Sequence, residues 1–247
     1  MVNFDEESHT YTSIETGKKY TSVTTLIGKY REEFESEKHA ARVAKREGLT
    51  TQFVLDMWQD MNDKANEKGT RIHKIMEQYI LEDPHILPDD RDEEEKAKYE
   101  KLTELLYSTY DRNNAEYIGK YNLKKTHAEV VMSDDEFELA GMADIIYECK
   151  ANSFYIGDFK TNKKFNFNSR YGEFLKSPLD HLQACQFNEY AIQLSTYAFM
   201  RERESGQKCN GIIIHYLEKN GWKPIYINYL KSDVEKMLKH HKASLNS

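Results

Sequence analysis

Cysteine is scarce and scattered in this chain. Cys149, Cys185 and Cys209 are the three present, far apart and without a CxxC pair. Neither a disulfide framework nor a zinc or iron–sulfur site is indicated. Long hydrophobic runs are missing too, since nothing approaches the roughly 20 apolar residues that span a bilayer. The segment Met1-Val2-Asn3-Phe4-Asp5-Glu6-Glu7 is acidic and has no secretory h-region. Together these absences predict a protein of the reducing cytoplasm with no membrane partner. Excess positive charge is also absent: 35 Lys and Arg against 42 Asp and Glu leave a net charge of −7. That excludes coating of duplex nucleic acid by bulk electrostatics. There is no internal repeat and no low-complexity linker.

What is present suits a globular α+β protein: 247 residues, 39% hydrophobic and 31% charged, enough for a substantial core. The charge is uneven. Asp89 to Glu95 holds six acids and one arginine, whereas Lys150 to Lys176 holds six basic residues against Asp158 and Glu173. The acids suit the first turn of a helix running to about Tyr110. The basic stretch is compatible with phosphate binding.

Along the chain, His9–Thr12 and Lys19–Thr21 read as a hairpin turning at Glu15-Thr16-Gly17-Lys18. Ser22 can cap a short helix to Tyr30, and a second helix fits Ser36 to Glu47, closed by Gly48. A long helical pattern runs from Thr51 to about Leu81, with Phe53, Leu55, Trp58, Met61, Ile72, Met76 and Ile80 as expected buried positions. Gly69 marks a break or a close approach within it. Strands are predicted at Thr126–Met132, Phe137–Glu148 and Ser153–Thr161. A helix follows at Gln183–Glu204, then strands at Gly211–Leu217 and Lys223–Tyr229 turning at Asn220-Gly221, and a last helix from Ser232 to His241.

The chemistry concentrates on Gly157-Asp158-Phe159-Lys160-Thr161. In an extended strand Asp158 and Lys160 share a face while Phe159 turns away. Such a pair suits metal-assisted phosphodiester hydrolysis, the carboxylate holding a divalent ion and the lysine handling the attacking water. If the second and third strands form a hairpin about Ala151, Asp144 lies opposite Asp158, with Cβ atoms about 5 Å apart. Two carboxylates that close call for a cation, and Mg²⁺ fits the pair; the alternative is an edge or turn role for Asp144. His73 sits on a helical lane with Ala65 and Gly69, and reads equally as a core or surface residue. Gln193 and Tyr197 lie one turn apart, as do Gln186 and Tyr190, so the register is open. In Lys163–Tyr171, basic residues interleave with aromatics, a composition for single-strand binding or for aromatics packed on the sheet.

The ordered set His73, Glu129, Gly141-Met142-Ala143-Asp144, Asp158-Phe159-Lys160 and Gln193-xxx-Tyr197 resembles the PD-(D/E)xK nuclease superfamily, in its RecB-like exonuclease branch. Tyr20 to Thr25 resembles a segment preceding the helical region there. The resemblance covers about residues 4 to 240. It implies a restriction-endonuclease-like core at 126–247, a mixed sheet flanked by helices, behind an N-terminal hairpin and helical region at 1–125, in one compact domain. It further implies an exonuclease acting on DNA ends, with endonuclease action or an inactive DNA-binding module as alternatives. Asp144 and Asp158 would ligate Mg²⁺ or Mn²⁺, with His73 as a further ligand. Lys160 would position and help deprotonate water, losing some basicity beside the metal, and both acids would stay ionised. Gln193, with Tyr197 beside it, would contact phosphate or hold Lys160, and Glu129 would bind a second metal or a water. Ser22, Thr24, Arg71, Lys163, Lys164 and Arg170 are the expected DNA contacts. Asp158 stands where many relatives carry Glu. The cluster-binding cysteines of some relatives are missing, so no iron–sulfur cluster is expected. The phage members of the branch suggest a phage-encoded protein working in a bacterial host's cytoplasm.

Overall fold

Three short N-terminal strands meander antiparallel: β1 (Val2–Asp5), β2 (Thr10–Ser13) and β3 (Lys19–Ser22). The computed structural model describes residues 2–6, 8–80, 93, 96–97, 123–218 and 221–245. Helices α1 (Val23–Gly28), α2 (Ser36–Glu47) and α3 (Thr51–Ile80) follow. Then come strands β4 (Leu123–Asp134), β5 (Leu139–Cys149) and β6 (Ser153–Lys160), helix α4 (Gln186–Ser205), strands β7 (Lys208–Glu218) and β8 (Gly221–Ile227), and helix α5 (Lys231–Leu245). The result is an α+β fold with one mixed eight-stranded sheet and helices packed on it.

Local chemistry sets the boundaries. Gly48 takes the left-handed conformation at φ 70° and ends α2, and Gly206 does the same for α4 at φ 69°. Ser22 caps α1 by accepting the Thr25 N–H at 3.0 Å. Asn152, at φ 51°, turns β5 into β6, a conformation its short polar side chain tolerates.

The centre of the sheet positions the site. Strand β5 is covered along one edge by antiparallel β4. Its other edge is shared. Strand β3 pairs in parallel at Leu139 and Ala140, and β6 pairs antiparallel from Ile145 to Cys149. The stretch Gly141 to Asp144 lies between those two partners, with neither as a ladder neighbour. Strand β6 then pairs in parallel with β7 from Ser153 to Lys160, α4 making the crossover, and β7 turns back into β8. Val23, Leu26, Ile146, Ile156, Ile192, Ile214 and Leu238 are among the side chains of the main core.

Several expectations need correction. Helix α3 passes through Gly69 without a break, and a Cβ there would meet nothing within 4 Å among the described residues. Phe53 and Met61 are exposed, at 54% and 62%, whereas Val54 is fully buried. Helix α3 packs on α2 through the Val54 stripe with Ala40 and Ala44, which turns Phe53 outward. Strand β1 was not anticipated. The side chains of Met76 and Ile80, most of the acidic block and its helix, and Asn220 lie outside the described residues.

Candidate metal centre

The β5–β6 hairpin keeps the register expected for a turn about Ala151. Its last ladder pair is Ile145 with Gly157, one step short of Asp144 and Asp158. There the side chain replaces the ladder: Asp144 Oδ2 accepts the Phe159 N–H at 2.8 Å. His73, on α3, takes the other half of that peptide position, its Nε2 lying 3.0 Å from the Phe159 carbonyl oxygen. Its Nδ1 stands 3.4 Å from Asp144 Oδ2. A long helix and a strand thus clamp one residue of β6, and Asp158 and Lys160 flank it.

On the far side of β5, Glu129 comes opposite Asp144, since the neighbouring pairs are Ala128 with Ile145 and Val130 with Ala143. Its backbone is left-handed at φ 46°, which an L side chain adopts at a cost; such strain persists where the surroundings over-determine a conformation. His73, Glu129 and Asp144 each bring a ligand atom within 4.8 Å of the others. One imidazole and two carboxylates are a donor set that a divalent cation fits. A histidine that also bonds a backbone carbonyl has its ring oriented for that task.

Asp158 is 2% exposed and pairs with Lys160, Oδ2 to Nζ at 2.6 Å. Burial pushes the Asp158 carboxyl up, and the charge of Asp144 pushes it further against the pull of Lys160. Burial also acts upward on Asp144, but His73, Lys160 and the Phe159 N–H outweigh it and hold that carboxyl low. The two acids are thereby driven apart. Burial pulls Lys160 down, yet Asp158 and Asp144 more than compensate, so its basicity is raised. His73 follows the same logic: burial lowers it, Asp144 lifts it, and it reaches about 9.

Gln193 donates to the Tyr197 hydroxyl at 3.2 Å, and Tyr197 lies over Gly141. Lys160 rests instead over the ring of Tyr190, 4.7 Å from its centroid. Both tyrosines of the ambiguous register therefore belong to the site's surroundings, in different places. Tyr11 on β2 had no signal in the sequence; burial and then the Glu129 charge push its phenol up to about 12. Ser22 is engaged in its cap and lies 3.1 Å from the Thr24 hydroxyl. Arg71 precedes His73 on α3 and is partly buried. Lys163, Lys164 and Arg170 are exposed on the loop after β6. Phe165 packs against Tyr190 and Tyr216, the packed role its composition allows, while Phe167 and Tyr171 stay exposed.

Fold and site define a mixed α+β protein with a candidate divalent-cation centre on its central strands. No family model matches the chain, and no curated protein matches it. Among solved structures it is similar to one described as "Putative exonuclease" from Eubacterium rectale, at 16% identity and a TM-score of 0.42, covering 99% of this chain and 84% of that one. It is also similar to the structure of SSO0001, at 14% identity and a TM-score of 0.34, covering 91% and 75%. No helix among the described residues is long and apolar enough to cross a membrane.

Proposed function

We propose that the chain is a divalent-cation-dependent deoxyribonuclease of the PD-(D/E)xK type, an exonuclease hydrolysing phosphodiester bonds at DNA ends in processing, recombination or repair. One observation carries the reading: three ligand atoms of His73, Glu129 and Asp144 gather within 4.8 Å, beside the Asp158–Lys160 ion pair on the adjoining strand. Bound Mg²⁺ or Mn²⁺ would supply Lewis-acid polarisation of a phosphoryl oxygen. The residues do the rest. Asp144, Glu129 and His73 would hold the cation, while Asp158, expected as a ligand, is outside that group and pairs with Lys160. Lys160, kept protonated by its acidic neighbours, donates hydrogen bonds that orient the attacking water or neutralise a non-bridging oxygen. Gln193 and Tyr197 shape the wall over Gly141.

DNA would reach this point along the loop after β6. Lys163, Lys164 and Arg170 offer cations to phosphates, and the exposed rings of Phe167 and Tyr171 offer faces to unpaired bases. Ser22, Thr24 and Arg71 would be further phosphate contacts. Work in the cytoplasm of a bacterial host, by a phage-encoded chain, fits this activity.

The test is digestion of 5′- and 3′-labelled single- and double-stranded DNA, and of a closed circle, with Mg²⁺, Mn²⁺ or EDTA. Linear DNA is expected to be degraded with either metal and untouched in EDTA. Lys160→Ala should be slower by about a hundredfold or more. Undiminished cleavage in EDTA, or full activity of the variant, would overturn the reading. Cutting of the circle would make the same site an endonuclease.

A further inference from the structure

Lys160 has two neighbours of opposite kinds. Asp158 Oδ2 lies 2.6 Å from its Nζ. On another side the ammonium stands 4.7 Å from the centroid of the Tyr190 ring, within the range where an aromatic face attracts a cation. The ring is itself held. Asn162 Nδ2 donates to the Tyr190 hydroxyl at 3.1 Å, and the Asn162 carbonyl accepts from the Tyr216 hydroxyl at 2.9 Å. Phe165 packs against both tyrosines, at centroid distances of 5.8 and 5.1 Å. A lysine has a long flexible stem, and a single ion pair leaves it free to swing about its partner. A fixed ring on a second side removes that freedom.

We propose that Tyr190 is a positioning residue for Lys160, its ring face seating the ammonium beside Asp158 and braced from behind by Asn162 and Tyr216. The ring keeps the donor aimed while the carboxylate keeps it charged. Because the ring touches the lysine and not the scissile group, its removal lowers turnover without weakening substrate binding. That kinetic consequence rests on the nuclease reading above; the contact itself does not.

Two variants and two readouts test it. Tyr190→Leu removes the ring, and Tyr190→Phe keeps it while dropping the hydroxyl. In the first readout, lysine Cε is isotopically labelled and the Lys160 resonance assigned by its loss in Lys160→Arg. Its Hε protons should lie upfield in the wild type through the ring current, stay upfield in Tyr190→Phe, and return to ordinary lysine values in Tyr190→Leu. The second readout is steady-state cleavage of linear DNA with Mg²⁺. Here kcat should fall roughly ten- to thirtyfold in Tyr190→Leu, as for loss of a desolvated cation–π contact. KM should stay within about twofold, and Tyr190→Phe should recover most of the loss. A wild-type Lys160 resonance at ordinary values overturns the proposal, whether or not Tyr190→Leu folds. So does a Phe variant as impaired as the Leu variant. If the wild type cleaves no DNA, the nuclease reading fails alone, and the resonance position still decides the contact.

Discussion

At Gly141 the backbone of β5 runs directly beneath Tyr197. A Cβ built there would fall inside van der Waals contact with Tyr197 Cε1 and within 3.2 Å of Val23 Cγ2. Tyr197 is 4% exposed and its hydroxyl is tied to Gln193, so the ring has nowhere to go. Gly141→Ala is therefore expected to cost about 1–3 kcal/mol, the usual range for overpacking a filled core. It should also displace the Gln193–Tyr197 pair from the stretch of β5 that leads to Asp144. Urea denaturation gives the first effect and the cleavage assay the second. A variant with wild-type midpoint and wild-type turnover would show that the ring is not seated on this glycine. The residue was legible in the sequence only as part of a motif. Its reason, a tyrosine two elements away, was not.

On its β5 side, the end of β6 that carries Asp158 and Lys160 is held by side chains, while β7 pairs with its other edge. Past Gly157 it has no antiparallel partner on β5, and Phe159 gives its N–H to Asp144 and its carbonyl to His73. If those bonds aim Asp158 and Lys160, then His73→Ala should loosen the strand end without unfolding the hairpin. Each net hydrogen bond is worth about 1 kcal/mol, so the Phe159 amide should exchange roughly fivefold faster, while Ile156, paired with Ile146, keeps its protection. Equal protection at Phe159 in variant and wild type would remove His73 from this role. Much at this scale could be read beforehand. The hairpin centre at Ala151 placed Asp144 in line with Asp158, because a two-residue side-chain period leaves no choice once the turn is known. The bounds of α2 followed from Gly48. What could not be read was tertiary in origin. That β3 shares one edge of β5 with β6, that α3 packs on α2 through Val54 and not Phe53, and that Lys160 rests on Tyr190 rather than Gln193 all depend on which faces meet, and local patterns do not encode that.

For the molecule as a whole, two buried or partly buried histidines pull its pH stability in opposite directions. His215 on β7 is 2% exposed, stacks on Phe159 and bonds the Tyr147 hydroxyl through Nε2 at 2.9 Å. Burial lowers it to about 4, only partly opposed by Asp144. An unfolded chain takes up that proton below its ordinary value near 6.5, so between about pH 6.5 and 4 the unfolded state binds more protons and stability falls as pH falls. The full loss is about 3 kcal/mol. His73 has the reverse sign. Burial lowers it but Asp144 raises it to about 9, so the stability it contributes is complete below about pH 6.5 and is lost as pH rises through 9. With divalent cations chelated, urea stability is compared between wild type and variant at each pH, because the raised Asp158 carboxyl acts against His215 in the same acid window. His215→Gln should flatten the acid limb alone, and His73→Gln the alkaline limb alone. The two limbs belong to opposite sides of β6, one under Phe159 and one at its carbonyl, which makes the profile a test of how that strand is held. An acid limb as steep in His215→Gln as in the wild type would mean that His215 is not carried neutral beneath β6.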